Sequence, residues 1–225
     1  MAFFKSSRKE KEVAIPVNNQ TTEQTRMNET AAPFKSTTVS EGITVRGDME
    51  GNDSVQINGT LIGNLKVNEL TIGKKGAVQG NIIAKKVINS GEVAGSIHCV
   101  NLDIMQSGKV NDTIHAKVVV INGEAQGEIL ADTSVTVTKG GKANVSVMRS
   151  KRIIVNGDIN GKVVASELLD VGSNGCVQGE ISVKNIKTEE GGKVIGTMAP
   201  YQDEQPTTKQ ISVQDKEEVI DTEMI

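Results

Sequence analysis

The sequence predicts an all-β protein in which a single parallel β-helix, a solenoid of about ten short coils, lies between disordered N- and C-terminal tails. The first observation is a five-residue pattern, Gly-x-apolar-x-Gly, which recurs between Gly47 and Gly196 at steps of 12 to 18 residues. The second is a series of short β-branched bursts bounded by Gly, Asn, Asp or Lys. The third is the composition, with no Trp, one Tyr and three Phe, which favours many narrow aliphatic layers. Self-similarity at a near-fixed step is typical of a solenoid.

Residues 1–40 are predicted to be a disordered tail, because they are polar and show no period of 2 or 3.6. The start of this tail differs, since Phe3 and Phe4 are followed by Lys5 and further basic residues. Aromatic side chains beside cations suit the headgroup boundary of a membrane. Residues 2–5 are therefore a candidate anchor, with Phe3, Phe4 and Lys5 as the membrane-binding residues. One copy would bind anionic lipid weakly, whereas many copies in a filament would bind firmly.

The solenoid is predicted to span residues 41–199. One period contains a short strand, a glycine corner, the Gly-x-apolar-x-Gly strand, a second corner and a third short strand. Three such strands return the chain to its start about 4.8 Å higher, and glycine allows the backbone angles of the corners. The central residue of each copy is expected to point inward. These central residues are Met49, Leu61, Val78, Val93, Val110, Ala125, Ala143, Ile159, Val177 and Val194.

Residues 200–225 are predicted to be a second disordered tail, with seven acidic and two basic residues after Pro200. The net charge of −3 gives no electrostatic footprint for a nucleic-acid partner. Two widely separated cysteines, Cys99 and Cys176, fit a reducing compartment. No stretch approaches the roughly 18 apolar residues of a membrane-spanning helix, and the N-terminus lacks the apolar region of a secretory signal. We therefore expect a cytoplasmic protein.

The two ends of the predicted β-helix are candidate association surfaces. The backbone donors and acceptors of a terminal coil have no partner, and such edges template further pairing. Neither flank contains an amphipathic helix that could cover them. If both ends associate, the product is a filament rather than a closed ring, whether like ends meet or head meets tail. Alternatively, the tails fold over the ends and cap them. The candidate polymerisation residues are Ile43, Val45, Met49, Val194, Ile195 and Met198.

The runs SVQINGTLIGNLKVNELTIGKKGAVQGNI from Ser54 and INSGEVAGSI from Ile88, together with the polar tails and the MAFFK start, resemble the bactofilins, a bacterial cytoskeletal family. The resemblance covers about residues 43–198, a longer core than is usual for the family. It implies a right-handed parallel β-helix that polymerises end to end without nucleotide. It also implies a cytoplasmic protein, peripheral on the inner face of the cytoplasmic membrane, that organises cell shape or envelope and peptidoglycan synthesis. Its partners would be itself, the lipid surface and cell-wall-synthesising or -modifying proteins.

The side chains that could act in catalysis or bind a metal do not suggest an enzyme. His98 and His115, the only histidines, lie 17 residues apart and are expected to stack on one outer face beside Cys99, with too few ligands for a zinc site. The alternative interpretation is a left-handed hexapeptide-repeat acyltransferase, but the aliphatic residues do not keep a six-residue step. No nucleophile–base pair is evident, so we expect no enzymatic activity, no metal and no cofactor.

Overall fold

The computed structural model describes residues 36–201. The predictions for the tails, including those for Phe3, Phe4 and Lys5, fall on residues 1–35 and 202–225 and lie outside the described part. All regular structure within residues 36–201 is β-strand. Every strand pairing there is parallel. The prediction of an all-β parallel solenoid with about ten coils is confirmed.

In the first four coils the chain forms three separate short strands per coil. This regularity follows from Gly and Asn corners placed between alternating apolar and polar residues. The strands are β1 (Ser36–Val39), β2 (Thr44–Arg46) and β3 (Met49–Glu50) in coil 1; β4 (Ser54–Ile57), β5 (Thr60–Ile62) and β6 (Leu65–Lys66) in coil 2; β7 (Glu69–Ile72), β8 (Ala77–Gln79) and β9 (Ile82–Ile83) in coil 3; and β10 (Lys86–Asn89), β11 (Glu92–Ala94) and β12 (Ile97–His98) in coil 4.

From coil 5 onward most strands continue around corners, so that one strand contributes to two or three sides of the solenoid. The strands of this part, of which β13 and β19 lie on one side only, are β13 (Asn101–Ile104), β14 (Lys109–Ile121), β15 (Glu124–Val137), β16 (Lys142–Val155), β17 (Asp158–Val171), β18 (Cys176–Val183), β19 (Ile186–Thr188) and β20 (Lys193–Pro200). The last coil, coil 10, consists of β19 and β20. Each side pairs with the same side of the neighbouring coil, as β4 does with β1 and β7.

The core consists of columns in which one inward residue of each coil lies in register with the inward residue of the next. Alternation along a strand sends successive side chains to opposite faces, so Leu61 is buried while its neighbour Ile62 is exposed. The Leu61 column contains nine of the ten predicted central residues, all at inward positions. Its members are Val45, Leu61, Val78, Val93, Val110, Ala125, Ala143, Ile159, Val177 and Val194.

The prediction for the first copy of the repeat is wrong in register. Arg46 pairs with Ile62 and Met49 pairs with Leu65, which places Gly47 beside the closing glycine of the next copy rather than beside its opening glycine. Val45, not Met49, therefore occupies the first position of the Leu61 column. The error arises because Gly47-Asp-Met-Glu-Gly51 matches the five-residue pattern by composition alone.

The solenoid also begins earlier than residue 41. Strand β1, Ser36–Val39, lies in the segment assigned to the N-terminal tail, yet it pairs along its whole length with β4. Val39 is buried and its register partner is Ile57. The sequence of β1 offers one large aliphatic residue among Ser and Thr, so its periodicity is too weak to be recognised without its partner strand.

The opening and closing glycines of the repeat are required for different physical reasons. The closing Gly95 has a φ of 142°, a conformation that residues with a Cβ rarely adopt. The opening Gly91 needs no such angle, but a Cβ on it would lie 2.2 Å from the carbonyl oxygen of Gly76. The prediction that glycine serves the corners by its backbone angles therefore holds for the closing position, whereas close approach of two coils explains the opening one.

Candidate assembly surfaces

The inward columns run without interruption to both ends of the described solenoid. In one of them, which we call the Met-ended column, both terminal members are methionine. Ile181 in coil 9 is 1% exposed, whereas its register partner Met198 in coil 10 is 56% exposed. At the other end Met49 is half-buried although its partner Leu65 is buried. The column comprises Met49, Leu65, Ile82, Ile97, Ile114, Ile129, Met148, Val163, Ile181 and Met198.

Four of the six candidate polymerisation residues lie in inward columns of the terminal coils. Val45 and Val194 are the half-buried ends of the Leu61 column, and Met49 and Met198 end the other column. Ile195 instead pairs with the outward Gln178 and is 52% exposed. Ile43 lies beside the opening glycine of coil 2, on a corner, and is 51% exposed. These two side chains lie on the flanks of the rod rather than within its end faces.

Sequence reasoning missed the end residues on the side formed by β1 and β19. Thr37 and Val39 begin, and Ile186 and Thr188 finish, two further columns. Ile186 is 40% exposed, while its register partner Leu169 is buried. The signal was available in the sequence, because extending the alternation of Val55 and Ile57 by one coil in the N-terminal direction leads to these positions.

The strands of the two terminal coils pair in the same parallel direction as the interior strands. Within residues 36–201, strands β1, β2 and β3 pair only with coil 2, and β19 and β20 pair only with coil 9. Each terminal strand thus offers one side of its backbone for further pairing. Counting only the described strands, the end faces therefore combine exposed apolar side chains with backbone groups that no other strand pairs.

One outer side of the rod carries charges of alternating sign, which we call the charge ladder. It runs through five consecutive coils in the order Glu92, Lys109, Glu124, Lys142 and Asp158. The Lys109 Nζ lies 3.9 Å from a Glu124 carboxylate oxygen. Opposite charges in neighbouring coils favour this register, since a slip by one residue would place Gly123 or Ala125 opposite Lys109 in place of Glu124. Two residues further along each strand, an amide column accompanies the ladder: Asn111, Gln126, Asn144, Asn160 and Gln178.

A similar ion pair joins the first two coils. The Lys66 Nζ donates to Glu50 at 2.7 Å. This hydrogen bond and the attraction between the two charges lower the pKa of Glu50 and raise the pKa of Lys66. Both groups are largely solvent-exposed, so the pair contributes to register more than to stability.

His98 and His115 stack on the same outer face, which confirms that prediction. Their ring centroids are 4.8 Å apart and their planes differ by 6°. Burial, assisted by the charge of Asp103, raises the pKa of the neighbouring Cys99 thiol to about 12. Among residues 36–201 no group of three or more His, Cys, Asp or Glu side chains is arranged to hold a metal ion. The described part of the chain also has no helix that could span a bilayer.

Within residues 36–201 these features define a parallel β-solenoid, a class of protein built from stacked coils, whose terminal coils here are built like the interior ones. The model of the bactofilin family, described as polymer-forming cytoskeletal, matches residues 37–125 and again residues 115–199. The chain belongs to the bactofilin family. The two matches overlap within β14 and β15 and together span the solenoid as one continuous rod. Comparisons with curated proteins and with solved structures found no significant match.

Proposed function

We propose that this protein is a scaffold that assembles end to end into filaments, coil upon coil, without nucleotide. Membership of a polymer-forming cytoskeletal family supports this proposal. The observation that carries it is the exposure of Met198 at an inward position whose equivalent in coil 9 is buried. Addition of one further coil would bury such a side chain, and complete burial stabilises by about 1.5–3 kcal/mol per large aliphatic residue. The same addition would satisfy the free backbone edge.

In this proposal the filaments lie on the inner face of the cytoplasmic membrane, held by Phe3, Phe4 and Lys5. There they organise cell shape or envelope synthesis by recruiting proteins that synthesise or modify the cell wall. The physical support is multivalency, because a weak anchor repeated along a filament binds a surface far more strongly than a single copy. The flanks of the rod, which carry the charge ladder and the amide column, remain available for partners in such a filament.

The test compares Met198→Lys with Thr197→Lys by analytical ultracentrifugation and negative-stain electron microscopy. Both substitutions add the same charge to β20, but Thr197 pairs with the outward Glu180, whereas Met198 pairs with the inward Ile181. We expect filaments from the unmodified chain and from Thr197→Lys. Met198→Lys should give only small species, because a charge in the end face prevents desolvated stacking.

The size of the small species also distinguishes the polarity of assembly. If like ends meet, a blocked C-terminal end leaves dimers joined through their N-terminal ends. If head meets tail, only the monomer of 23.9 kDa remains. An unmodified chain that stays monomeric at all concentrations would contradict the proposed function.

A further inference from the structure

The third side of each coil passes to the first side of the next coil through a corner, and these corners stack along one edge of the rod. The Val100 N–H donates to the Lys85 carbonyl oxygen at 3.1 Å, and the Lys117 N–H donates to the Val100 carbonyl oxygen at 3.1 Å. Lys85 and Lys117 therefore lie two coil steps apart, or about 10 Å along the rod. Lys151 occupies the same corner two coils further on.

The stretch that we call the cationic edge consists of these three lysines together with Lys86 and Arg152, which lie beside the first and the last of them. Lys86 and Arg152 belong to one register column and are separated by four coil steps, or about 19 Å. All five residues are exposed. Among residues 36–201, no carboxylate forms an ion pair with any of the five.

Two carboxylates lie on the same stretch of the edge. Glu69 is the register partner of Lys86, and Asp132 occupies the corner of coil 6. The stretch ends at Glu167, on the corner of coil 8. Five cations against the two carboxylates leave a surplus of positive charge here, although the net charge of the chain is −3. Such a surplus of exposed cations attracts an anionic surface.

Exposed aliphatic side chains are interspersed with these cations. Val100 occupies the corner between Lys85 and Lys117, and Ile83 precedes Lys85 by two residues; both are exposed. Cations next to apolar side chains suit the boundary between lipid headgroups and acyl chains. A nucleic-acid backbone, in contrast, is contacted by cationic and polar groups and would leave the two aliphatic side chains without a partner.

We propose that the cationic edge is the part of the rod that lies against an anionic lipid surface. The point at which the chain enters the rod supports this proposal. Ser36, the first described residue, belongs to the register column of Lys86, so residues 1–35, with the proposed anchor, are joined to the rod at this edge. The inference rests on the membrane location in the proposed function and adds a second contact, made by the rod itself. It does not depend on filament formation, because all five cations belong to one chain.

Binding of the full-length chain to vesicles of phosphatidylcholine and phosphatidylserine tests the proposal. The edge variant combines Lys85→Gln with Lys117→Gln. The matched control combines Lys74→Gln with Lys139→Gln, two exposed lysines on turns at another edge of the rod. A basic residue close to an anionic surface strengthens binding about fivefold. We therefore expect the edge variant to bind about 20-fold more weakly than the unmodified chain, and the control to bind within about twofold of it.

A fluorescent label reports which edge meets the lipid. In a Cys99→Ala, Cys176→Ser background, the environment-sensitive dye NBD is attached to Val100→Cys on the cationic edge or to Gln106→Cys, an exposed turn position at another edge. We expect vesicles that contain phosphatidylserine to increase the emission of the first label and shift it to shorter wavelength. The second label should not respond.

Equal binding of the edge variant and its control, or equal responses of the two labels, would overturn the proposal. A double-stranded DNA fragment that binds the unmodified chain more tightly than the vesicles do, and loses this affinity in the edge variant, would also overturn it. Deletion of residues 2–5 distinguishes the two membrane contacts. If the deletion leaves binding unchanged while the edge variant weakens it, the anchor is refuted and the cationic edge is supported. Assembly is followed in vesicle-free samples, so a loss of filaments there counts against the proposed function alone.

Discussion

At the scale of single residues, the solenoid depends on corner positions whose backbone angles favour glycine, and one of them is occupied by aspartate. The closing position of the repeat has positive φ in Gly95 and Gly127, and Asp112 between them has a φ of 126°. It is the single non-glycine residue with positive φ among the described residues. A side chain held in this region costs on the order of 1–3 kcal/mol. Asp112 is therefore a site of local strain in the fifth coil.

Replacement of this residue gives a direct measurement of the strain. We expect Asp112→Gly to raise the free energy of unfolding by about 1 kcal/mol, because relief of strain exceeds the entropy that glycine adds to the unfolded chain. Urea denaturation followed by circular dichroism measures the shift. The control is the reverse substitution at the equivalent position, Gly95→Asp. It should be strongly destabilising, because a Cβ added there would lie 2.2 Å from the Gly80 carbonyl oxygen. An unchanged or lower midpoint for Asp112→Gly would contradict this account.

Cys99 offers a prediction of pH dependence at the same scale. Burial raises the pKa of its thiol from 9.0 to about 12, and the thiolate is the reactive form. At pH 8 the folded chain therefore holds on the order of 1,000-fold less Cys99 thiolate than the unfolded chain. We expect iodoacetamide to modify Cys99 far more slowly in native buffer than in urea, with a rate that still rises between pH 8 and 10. Peptide mass spectrometry measures both rates, and equal rates would exclude the buried position.

At the scale of the strand, the question is what fixes the register between neighbouring coils. Each short strand has the same pattern of inward aliphatic and outward polar residues, so apolar burial alone would permit several registers. The charge ladder selects one of them. Asn89 also favours this register from within the core, where it occupies a position that is aliphatic in the neighbouring coils. Its amide donates to the Lys109 carbonyl oxygen at 3.0 Å, and its oxygen accepts from the Gly91 N–H at 3.0 Å.

The ladder can be tested by reversing one charge. Lys142→Glu would place three carboxylates in consecutive coils, with Glu124 on one side and Asp158 on the other. We expect a loss of about 1 kcal/mol in stability at low salt, since exposed pairs are individually weak, and a smaller loss at high salt. Lys139→Glu is the matched control, because Lys139 is exposed on a corner outside the ladder. Equal losses for the two variants would show that the order of the ladder is irrelevant.

At the scale of the whole solenoid, the described residues form a continuous rod of ten coils. At a rise of about 4.8 Å per coil, the rod is about 45–50 Å long. Two segments, one within each family match, share a pattern. Leu70–Ile82 and Leu169–Ile181 both have the form L-x-x-G-x-x-G-x-V-Q-G-x-I. The rod thus repeats similar coils in each half, without a break in the columns between them.

Stacking of such rods predicts a characteristic diffraction pattern. If the filaments form coil upon coil, the strands lie across the filament axis throughout. Oriented filaments should then give a meridional reflection near 4.8 Å and a subunit spacing of about 48 Å, or twice that if like ends meet. X-ray fibre diffraction and electron microscopy provide both measurements. Filaments without the 4.8 Å meridional reflection would rule out coil-on-coil assembly.

The membrane anchor gives a prediction that separates binding from assembly. Deletion of residues 2–5 should release the protein from vesicles containing anionic lipid and leave its filaments intact, because the inward columns of the end faces do not include these residues. Vesicle co-sedimentation measures binding, and electron microscopy of the same samples provides the control for assembly. Unchanged vesicle binding after the deletion would exclude Phe3, Phe4 and Lys5 as the anchor.

The sequence by itself determined the solenoid, the aliphatic layers and the stacking of His98 on His115, because each follows from a pattern repeated along the chain. Only the tertiary structure decided the register of the first coil, the exposure of Ile43 and Ile195 on the flanks, and the positive φ of Asp112. The physical reason is that the spacing of residues in register varies from 15, as for Ser54 and Glu69, to 19, as for Ile129 and Met148. Alternation along one strand predicts which side chains point inward, but it does not reveal which residue of the next coil lies above them.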